Sequence, residues 1–270
     1  MLPVALQMFS IRDDAEKDFA GSLQKVKAMG YEGVELAGIF NHTPREARTI
    51  LADIGLVPVS VHGDYAEMMD DPEGVLGSYR EIGSPYVVIS YMEEQYRFGT
   101  VKEQEVIAGI RMLAETAGKF GIKMLYHNHD FEFIKIGGEY ALDILLKTIP
   151  ASLLEAELDT CWIASAGLDA PAYLRKYSGR LPLVHLKDFA TEGGVPLGPH
   201  GLSSLQSGEK EKSKGFEFRP LGKGQQNIPA LLEAASGTGT KWLVVEQDEP
   251  SMGKTAMECA SMSIQYLRSL

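Results

Sequence analysis

Short apolar runs rich in β-branched residues recur along this 270-residue chain, and segments with helical periodicity separate them. This alternation is typical of βαβ units and therefore of a parallel sheet. Eight such runs in one chain favour a sheet closed into a single (β/α)8 TIM barrel over an open sheet, because closure leaves no edge strand exposed. The predicted strands cover residues 4–9, 33–37, 57–62, 86–91, 123–129, 154–159, 182–187 and 242–247.

Several of the predicted helices carry cap signals. Thr43 and Glu46 form a capping box around Pro44, and Thr100 and Glu103 repeat the capping box before the next long apolar stripe. A third helix is predicted to open at the dipeptide 71–72, Asp-Pro. Glycines suited to left-handed C-terminal caps follow the three helices: Gly55, Gly121 and Gly83.

The length and composition favour one globular domain over residues 1–270. Hydrophobic residues make up 44% of the chain and charged residues 23%, which supplies enough apolar mass for a large core. The main irregularity is a long loop insertion at about 189–227, where Gly, Ser and the charged stretch 209–212 replace helical periodicity. A loop of this length on the catalytic face is predicted to be a lid or substrate contact, or else a tolerated insertion.

The composition also excludes some functions and compartments. A formal charge of −11, with no Lys/Arg-rich run, argues against a nucleic-acid partner. Cys161 and Cys259 are isolated in hydrophobic segments and are predicted to be buried thiols, which fits a reducing cytoplasm. The N-terminus lacks a signal-peptide pattern, and no apolar run approaches the about 20 residues of a membrane span. We expect a cytoplasmic protein with no membrane partner; a homo-oligomer is compatible with the sequence.

Polar side chains lie near the C-terminal ends of the four last predicted strands. Alternate residues of a barrel strand point inward, so those near the strand ends converge on one mouth. Burying many ionisable groups costs on the order of several kcal/mol per ion unless an opposite charge compensates. Carboxylate and imidazole donors suit one divalent ion such as Mn, Co, Mg or Zn, so we predict a metal at this mouth. The residues are His127, His129, Asp159, His185, Lys187, Glu246 and Asp248.

Motifs spread over essentially the whole chain carry a resemblance to a known family. They are residues 6–12 (LQMFSIR), 30–36 (GYEGVEL), 59–62 (VSVH), 126–133 (YHNHDFEF), 157–162 (ELDTCW), 185–188 (HLKD) and 221–224 (LGKG). With these motifs the chain resembles the sugar phosphate isomerase/epimerase family, in the xylose-isomerase-like barrel superfamily that includes inosose dehydratases and tagatose-type 3-epimerases. The resemblance implies a metal held by Asp159, His185 and Glu246, with Glu246 also in the acid/base chemistry, and a small-molecule sugar substrate.

The chain departs from the epimerases of this family at strand five. Those enzymes have a glutamate near the end of that strand, as ligand and as acid/base, whereas His127 occupies the position here. Either His127 is the fourth ligand, or Glu132 reaches back from the following loop as a catalytic, metal or substrate contact. His129 lies one step nearer the mouth and is predicted to be the general base, because imidazole titrates near neutral pH.

Other polar residues near the mouth are predicted to contact substrate. Lys187 is expected to hold a substrate oxygen or to stabilise a developing enolate, unless it only pairs with a neighbouring carboxylate. Glu35 and His62 are predicted to bind hydroxyl groups, with core hydrogen bonding as the alternative. His127, if it is not a ligand, joins them, and Trp162 is predicted to be a wall of the pocket. Residues 222–224 are interpreted as a turn before a helix at Asn227 and not as a phosphate loop.

The sequence therefore predicts a divalent-metal-dependent isomerase or epimerase acting on a keto sugar or related polyol through a metal-stabilised enediolate. The alternative is a dehydratase or lyase acting on an inosose or 3-keto sugar, which starts with the same proton removal and which the histidine-rich strand five favours. A second alternative is a barrel that binds sugar without a metal. The apurinic-site endonucleases of the same superfamily bind DNA through a basic groove, which the charge of −11 disfavours.

Overall fold

The computed structural model describes residues 2–100, 102–194 and 215–270 and shows a closed parallel barrel. Eight of the described strands form it: β1 Val4–Gln7, β2 Gly33–Leu36, β3 Val57–Gly63, β4 Tyr86–Ile89, β5 Lys123–His127, β8 Leu154–Asp159, β9 Leu183–Leu186 and β12 Trp242–Val245. They pair in that order, and β12 closes the ring by pairing with β1. All eight predicted strands are confirmed, most with slightly shorter bounds.

Helices cover the outside of the barrel. The described α-helices are α1 Arg12–Lys17, α2 Phe19–Met29, α3 Pro44–Ile54, α4 Tyr65–Asp70, α5 Pro72–Ile82, α6 Glu103–Lys119, α7 Ala141–Thr148, α8 Thr160–Ser165, α9 Ala170–Lys176, α10 Ile228–Gly237 and α11 Ala256–Ser269. No helix in this part of the chain is long and apolar enough to cross a membrane.

The helix caps follow the sequence at most of the predicted positions. The capping box of Thr43 and Glu46 is present, and α5 opens at Pro72 behind Asp71. The three glycines predicted to end helices have positive φ, as expected for left-handed caps: Gly55, Gly83 and Gly121.

The capping box predicted at Thr100 is wrong. Helix α6 begins at Glu103 behind Lys102, with no side-chain cap. The Thr100 hydroxyl donates to the Arg97 carbonyl at 2.7 Å, so Thr100 closes a turn before the helix. The Glu103 carboxylate accepts from the Gly99 amide at 3.0 Å instead of bonding to Thr100.

Two small antiparallel hairpins add to the barrel. Strands β6 Lys135–Ile136 and β7 Glu139–Tyr140 form one, and β10 Asp188–Ala190 and β11 Glu217–Arg219 form the other. The second lies in the predicted loop 189–227, of which residues 195–214, including the charged stretch 209–212, lie outside the described residues.

Asp188 fixes the return of this loop to the barrel. Its carboxylate accepts hydrogen bonds from four backbone amides, those of Phe189, Gly222, Gly224 and Gln226. A Cβ atom at Gly224 would lie 2.2 Å from the Asp188 carboxylate, so this position requires glycine. Residues 222–224 are thus a turn before α10, as predicted. The backbone amides that could bind a phosphate here already donate to the Asp188 carboxylate.

The core has two parts, and the smaller one fixes the floor of the site. Most buried apolar residues, together with the free thiol Cys259, lie between strands and helices or at their ends. A separate cluster fills the lower barrel interior, made of Ala5, Val59, Tyr86, Val88, Leu125, Leu183 and Val244. Polar side chains project inward above this cluster, so the chemistry lies at the C-terminal ends of the strands.

Candidate active site and metal centre

Four buried side chains from four strands come together above the apolar floor. They are His127 of β5, Asp159 of β8, His185 of β9 and Glu246, which follows β12, and we call them the upper cluster. One ligand atom from each lies within 4.8 Å of the others. Asp159 and His185 are paired in register on neighbouring strands, so the parallel sheet itself brings them together.

Asp159 is held by the helix that follows it. It is the N-cap of α8, and its Oδ1 accepts from the amides of Cys161 at 2.7 Å and Trp162 at 3.3 Å. Its Oδ2 is buried, faces the upper cluster and has no hydrogen-bond partner among the described residues. A buried carboxylate oxygen without a hydrogen bond is costly, and burial raises the pKa of Asp159 to about 7 although the Lys187 ammonium lies 3.6 Å from Oδ2. A cation at this oxygen would remove that cost.

Carboxylates face both ring nitrogens of His185. Its Nδ1 lies 3.1 Å from Glu246 Oε2, and its Nε2 lies 2.7 Å from Glu35 Oε1. Glu35 is fully buried and also accepts from Gln7 Nε2 at 2.6 Å and from Ser60 Oγ at 2.5 Å. Glu35 is predicted to bind substrate hydroxyls, but these hydrogen bonds place it behind His185, away from the residues that line the cavity at the mouth. An Nε2 proton donated to Glu35 would leave the Nδ1 lone pair facing Glu246 and Asp159.

A second polar group lies deeper in the barrel. His62 Nε2 lies 2.9 Å from Glu35 Oε1 and 3.0 Å from Glu157 Oε2, and His127 Nδ1 lies 3.2 Å from the same Glu157 oxygen. Burial alone lowers the pKa of His62, but attraction to Glu35 and hydrogen bonding to Glu157 outweigh it and raise the pKa to about 10. Glu157 is missing from the predicted site, although it precedes Asp159 by two residues and so shares its inward face.

Lys187 bridges the carboxylates of the mouth. Its ammonium nitrogen lies 2.7 Å from Asp248 Oδ1, 2.9 Å from Glu246 Oε2 and 3.6 Å from Asp159 Oδ2. Burial alone lowers the pKa of Lys187, yet attraction to these carboxylates raises it well above the usual value. Lys187 is therefore a fixed positive charge and not a base.

The charges at the mouth do not balance within this group. When ionised, Asp159, Glu246 and Asp248 carry three negative charges, and Lys187 carries one positive charge. His127 contributes none, because burial and the neighbouring His185 hold its pKa well below the usual range. Burial alone lowers the pKa of His185, but attraction to Glu157 and Glu35 raises it well above the usual value, so these deeper carboxylates offset its charge. One divalent cation would balance the two negative charges that remain at the mouth. The carboxylate and imidazole donors of the upper cluster fit such an ion.

His129 is enclosed by aromatic rings beside the upper cluster. It stacks on Phe131 with centroids 5.4 Å apart, and Tyr91 and Trp162 lie at 5.1 Å. Burial and the Lys187 charge hold the pKa of His129 well below the usual range, so it is neutral at pH 7 and able to accept a proton. Trp162 also lies under the Lys187 ammonium, 4.8 Å from the ring centroid, and thus packs behind the site.

The structure does not bring Glu132 to the upper cluster. Glu132 lies in a 3-10 turn, Phe131–Phe133, where its carboxylate accepts from the Tyr126 hydroxyl at 2.7 Å and from the His129 amide at 2.8 Å. Both oxygens are thus engaged at the base of the turn, and His127 occupies the fourth position of the upper cluster. Burial raises the pKa of Glu132 to about 7 despite these hydrogen bonds.

The raised pKa predicts that Glu132→Gln stabilises the protein at alkaline pH. The folded state holds the Glu132 proton up to about pH 7, whereas the unfolded chain releases it near pH 4.3. The stability of the wild type therefore falls as pH rises through this window, and glutamine avoids a loss of up to about 3 kcal/mol. In urea unfolding, the free energy of unfolding of Glu132→Gln should exceed that of the wild type by more at pH 8 than at pH 5.

Glu115 is exposed, so Glu115→Gln is the matched control and should leave the free energy of unfolding unchanged at both pH values. A loss of stability in Glu132→Gln at pH 8 would contradict the prediction. Metal affinity measured on the same variant tests the ligand hypothesis separately, because loss of a ligand would weaken binding and loss of a buried structural carboxyl would not.

A cavity of about 580 Å³ opens at the mouth of the barrel. Of the predicted site residues, it is lined by His62, His127, His129, Lys187 and Glu246. Asp159, His185, Glu35, Glu132 and Trp162 lie behind this lining. A substrate in the cavity would contact Lys187 and His129 directly and would reach the upper cluster beside Glu246.

Comparison with known proteins shows the family. The sequence profile of the xylose isomerase-like TIM barrel family matches residues 23–270. The inosose dehydratase of Mesomycoplasma hyopneumoniae (strain 7448) is 24% identical over 277 aligned residues, which cover 93% of this chain and 88% of that protein.

Solved structures show the same fold. A sugar phosphate isomerase/epimerase from Parabacteroides distasonis superposes with a TM-score of 0.80 at 20% identity, covering 100% of this chain and 99% of that chain. The IOLI protein with a bound zinc atom superposes with a TM-score of 0.72 at 13% identity, covering 99% of this chain and 97% of that chain.

Proposed function

This chain belongs to the xylose isomerase-like TIM barrel family, and on that premise we propose that it is a metal-dependent enzyme that removes a proton beside the carbonyl of a polyhydroxylated ketone. The observation that carries the proposal is the charge of the mouth, where Asp159, Glu246 and Asp248 outnumber Lys187 by two charges. With all three carboxylates ionised, such an excess in a buried site favours the binding of a divalent cation.

The upper cluster is the proposed metal centre, with Asp159, His185 and Glu246 as ligands and His127 as the fourth. Two imidazoles and two carboxylates favour Zn, Mn or Co over Mg. A zinc atom bound in the IOLI structure is consistent with this choice. When bound, a divalent ion polarises the carbonyl and neighbouring hydroxyl of the substrate and so acidifies the carbon between them.

His129 is the proposed general base. It lines the cavity, and its lowered pKa leaves it neutral and ready to accept the proton. Lys187, fixed as an ammonium by Glu246 and Asp248, is placed to stabilise negative charge that develops on a substrate oxygen. Tyr91 and Phe131 pack against the His129 ring and limit how far it can turn.

We place dehydration first among the possible outcomes. His129 can return the proton to the departing β-hydroxyl, so one acid/base group suffices to release water. A curated relative that matches most of the chain is an inosose dehydratase, and strand five here offers histidines in place of the epimerase glutamate. The sequence alone favours isomerisation or epimerisation, whereas the position of His129 in the cavity favours dehydration.

Isomerisation or epimerisation is the second candidate. The observation in its favour is Asp248, whose carboxylate also lines the cavity, beside Lys187. As a second acid/base group it would be able to return a proton to a different carbon or to the other face of the substrate.

Incubation of the metal-loaded protein with keto-inositols and keto sugars in deuterated water tests the proposal. Dehydration predicts loss of water to an unsaturated product, whereas isomerisation or epimerisation predicts deuterium uptake at constant composition. Protein stripped of metal by a chelator is the control and should do neither. No exchange and no water loss with any of these ketones, at full metal occupancy, would refute the proposed function and favour a barrel that only binds sugar.

A further inference from the structure

The cavity extends well beyond the proposed metal centre. Besides His129 and Glu246 at the polar end, it is lined by residues that follow β2 and β3 and by residues of α5. The residues that line this extension, which we call the side arm, are Ile39, Asp64, Glu67, Ser78, Tyr79 and Ile82. None of them belongs to the upper cluster, and the chemistry proposed above uses none of them.

The size of the cavity exceeds what one sugar ring needs. Sites for drug-sized ligands occupy about 300–1,000 Å³, and a six-carbon ring of about a dozen non-hydrogen atoms is smaller than such ligands. At about 580 Å³ the cavity accommodates a second ring beside the first. Water left in the side arm by a single ring would lie against the apolar faces of Ile39 and Ile82.

The chemistry of the side arm matches a sugar ring. Sugars present apolar C–H faces and hydroxyl groups at their edges, and the side arm offers Tyr79 and two isoleucines for the faces. Asp64 and Glu67 supply carboxylate oxygens for the hydroxyl groups. Burial, with Glu67 nearby, raises the pKa of Tyr79 to about 12, so its hydroxyl stays a donor at neutral pH.

The charge of the side arm argues against a phosphorylated substrate. Among the described residues that line the whole cavity, Lys187 is the only lysine or arginine. Glu246 and Asp248 already engage its ammonium group. Asp64 and Glu67 would repel a phosphate in the side arm.

We propose that the side arm is the binding site of a second, uncharged sugar ring, so that the substrate is a glycoside whose keto-bearing ring lies at the metal centre. This inference rests on the proposed function for the choice of reacting ring, but the binding itself is independent of any reaction. The second ring would lie on Tyr79, and its hydroxyl groups would bond to Asp64 and Glu67.

Calorimetric titration of the metal-loaded protein with cellobiose, glucose and glucose 6-phosphate tests the inference. We expect cellobiose to bind at least about tenfold more tightly than glucose, which is about 1.4 kcal/mol, and glucose 6-phosphate to bind no better than glucose. Ser78→Phe should fill the side arm and remove the advantage of cellobiose without changing glucose binding. Arg80→Phe, on the exposed face of the same helix, is the matched control and should keep the advantage.

Equal affinities for cellobiose and glucose, or tighter binding of glucose 6-phosphate, would overturn the inference. If Ser78→Phe fails to fold, Tyr79→Ala provides the same test, because it removes the stacking face and should lower cellobiose affinity about tenfold. A cellobiose advantage unchanged in either folded variant would also overturn it. A cellobiose preference without exchange on any keto sugar or keto glycoside would sustain the second-ring site and refute the proposed reaction.

Discussion

Asp159→Asn is expected to abolish stoichiometric binding of a divalent metal while leaving the barrel folded. The substitution removes the negative charge at Oδ2, the buried oxygen that lacks a hydrogen-bond partner. An amide Oδ1 still caps α8 through the amides of Cys161 and Trp162. Changes outside the ligand shell typically cost 10–100-fold in metal affinity, so loss of a ligand should cost more than about 100-fold.

Metal content after gel filtration and calorimetric titration with Mn and Zn measure this effect. Metal at about 1,000 times its dissociation constant should stabilise the wild type by about 4 kcal/mol, and this gain should vanish in Asp159→Asn. Asp169→Asn is the matched control, since Asp169 likewise caps a helix, α9, but lies outside the cluster. Full metal occupancy in Asp159→Asn and in Glu246→Gln would contradict the proposed metal centre.

His129→Gln is expected to lower the rate of proton exchange on the substrate by about 10²–10⁴-fold, the usual contribution of a general base. Metal binding should be retained, because His129 is not among the four residues of the upper cluster. Deuterium exchange followed by NMR on an excess of keto substrate measures the rate. In the wild type the rate should stay constant from pH 8 to pH 7, since the lowered pKa keeps His129 unprotonated there.

Rescue distinguishes loss of the base from a disturbed site. His129→Ala leaves space inside the aromatic rings, and added imidazole should restore part of its exchange rate. A variant that exchanges at more than about a tenth of the wild-type rate would show that another group removes the proton, and Asp248 would be the next candidate. Loss of metal from His129→Gln would instead place this imidazole among the ligands.

The deeper polar group holds the imidazoles of the proposed metal centre in place. Glu35 and Glu157 hold His62, His127 and His185 from below, and Gln7 and Ser60 in turn hold Glu35. Such outer contacts fix ring orientation and increase the basicity of a ligating imidazole. Glu35, which the sequence predicts to bind substrate, instead bonds to other side chains of the barrel interior.

The eight strands, the barrel and the convergence of Asp159, His185 and Glu246 on one mouth are predictable from the sequence alone. Side chains alternate along a strand and parallel strands end at the same side of the sheet, so the position of a residue in its strand predicts which way its side chain points. The same rule could have found Glu157, two residues before Asp159.

The placement of Glu132 and the surroundings of Glu35 follow from the packing of the whole barrel and not from the sequence alone. Glu132 follows β5 in a turn, where no periodicity sets its direction, and hydrogen bonds from Tyr126 and His129 direct it away from the cluster. Glu35 points inward, as its position in β2 predicts, but its hydrogen-bond partners come from β1, β3 and β9, which are far from it in the sequence. Side-chain direction in a regular strand is local, whereas the partners that occupy a buried carboxylate are chosen by the packing of the whole barrel.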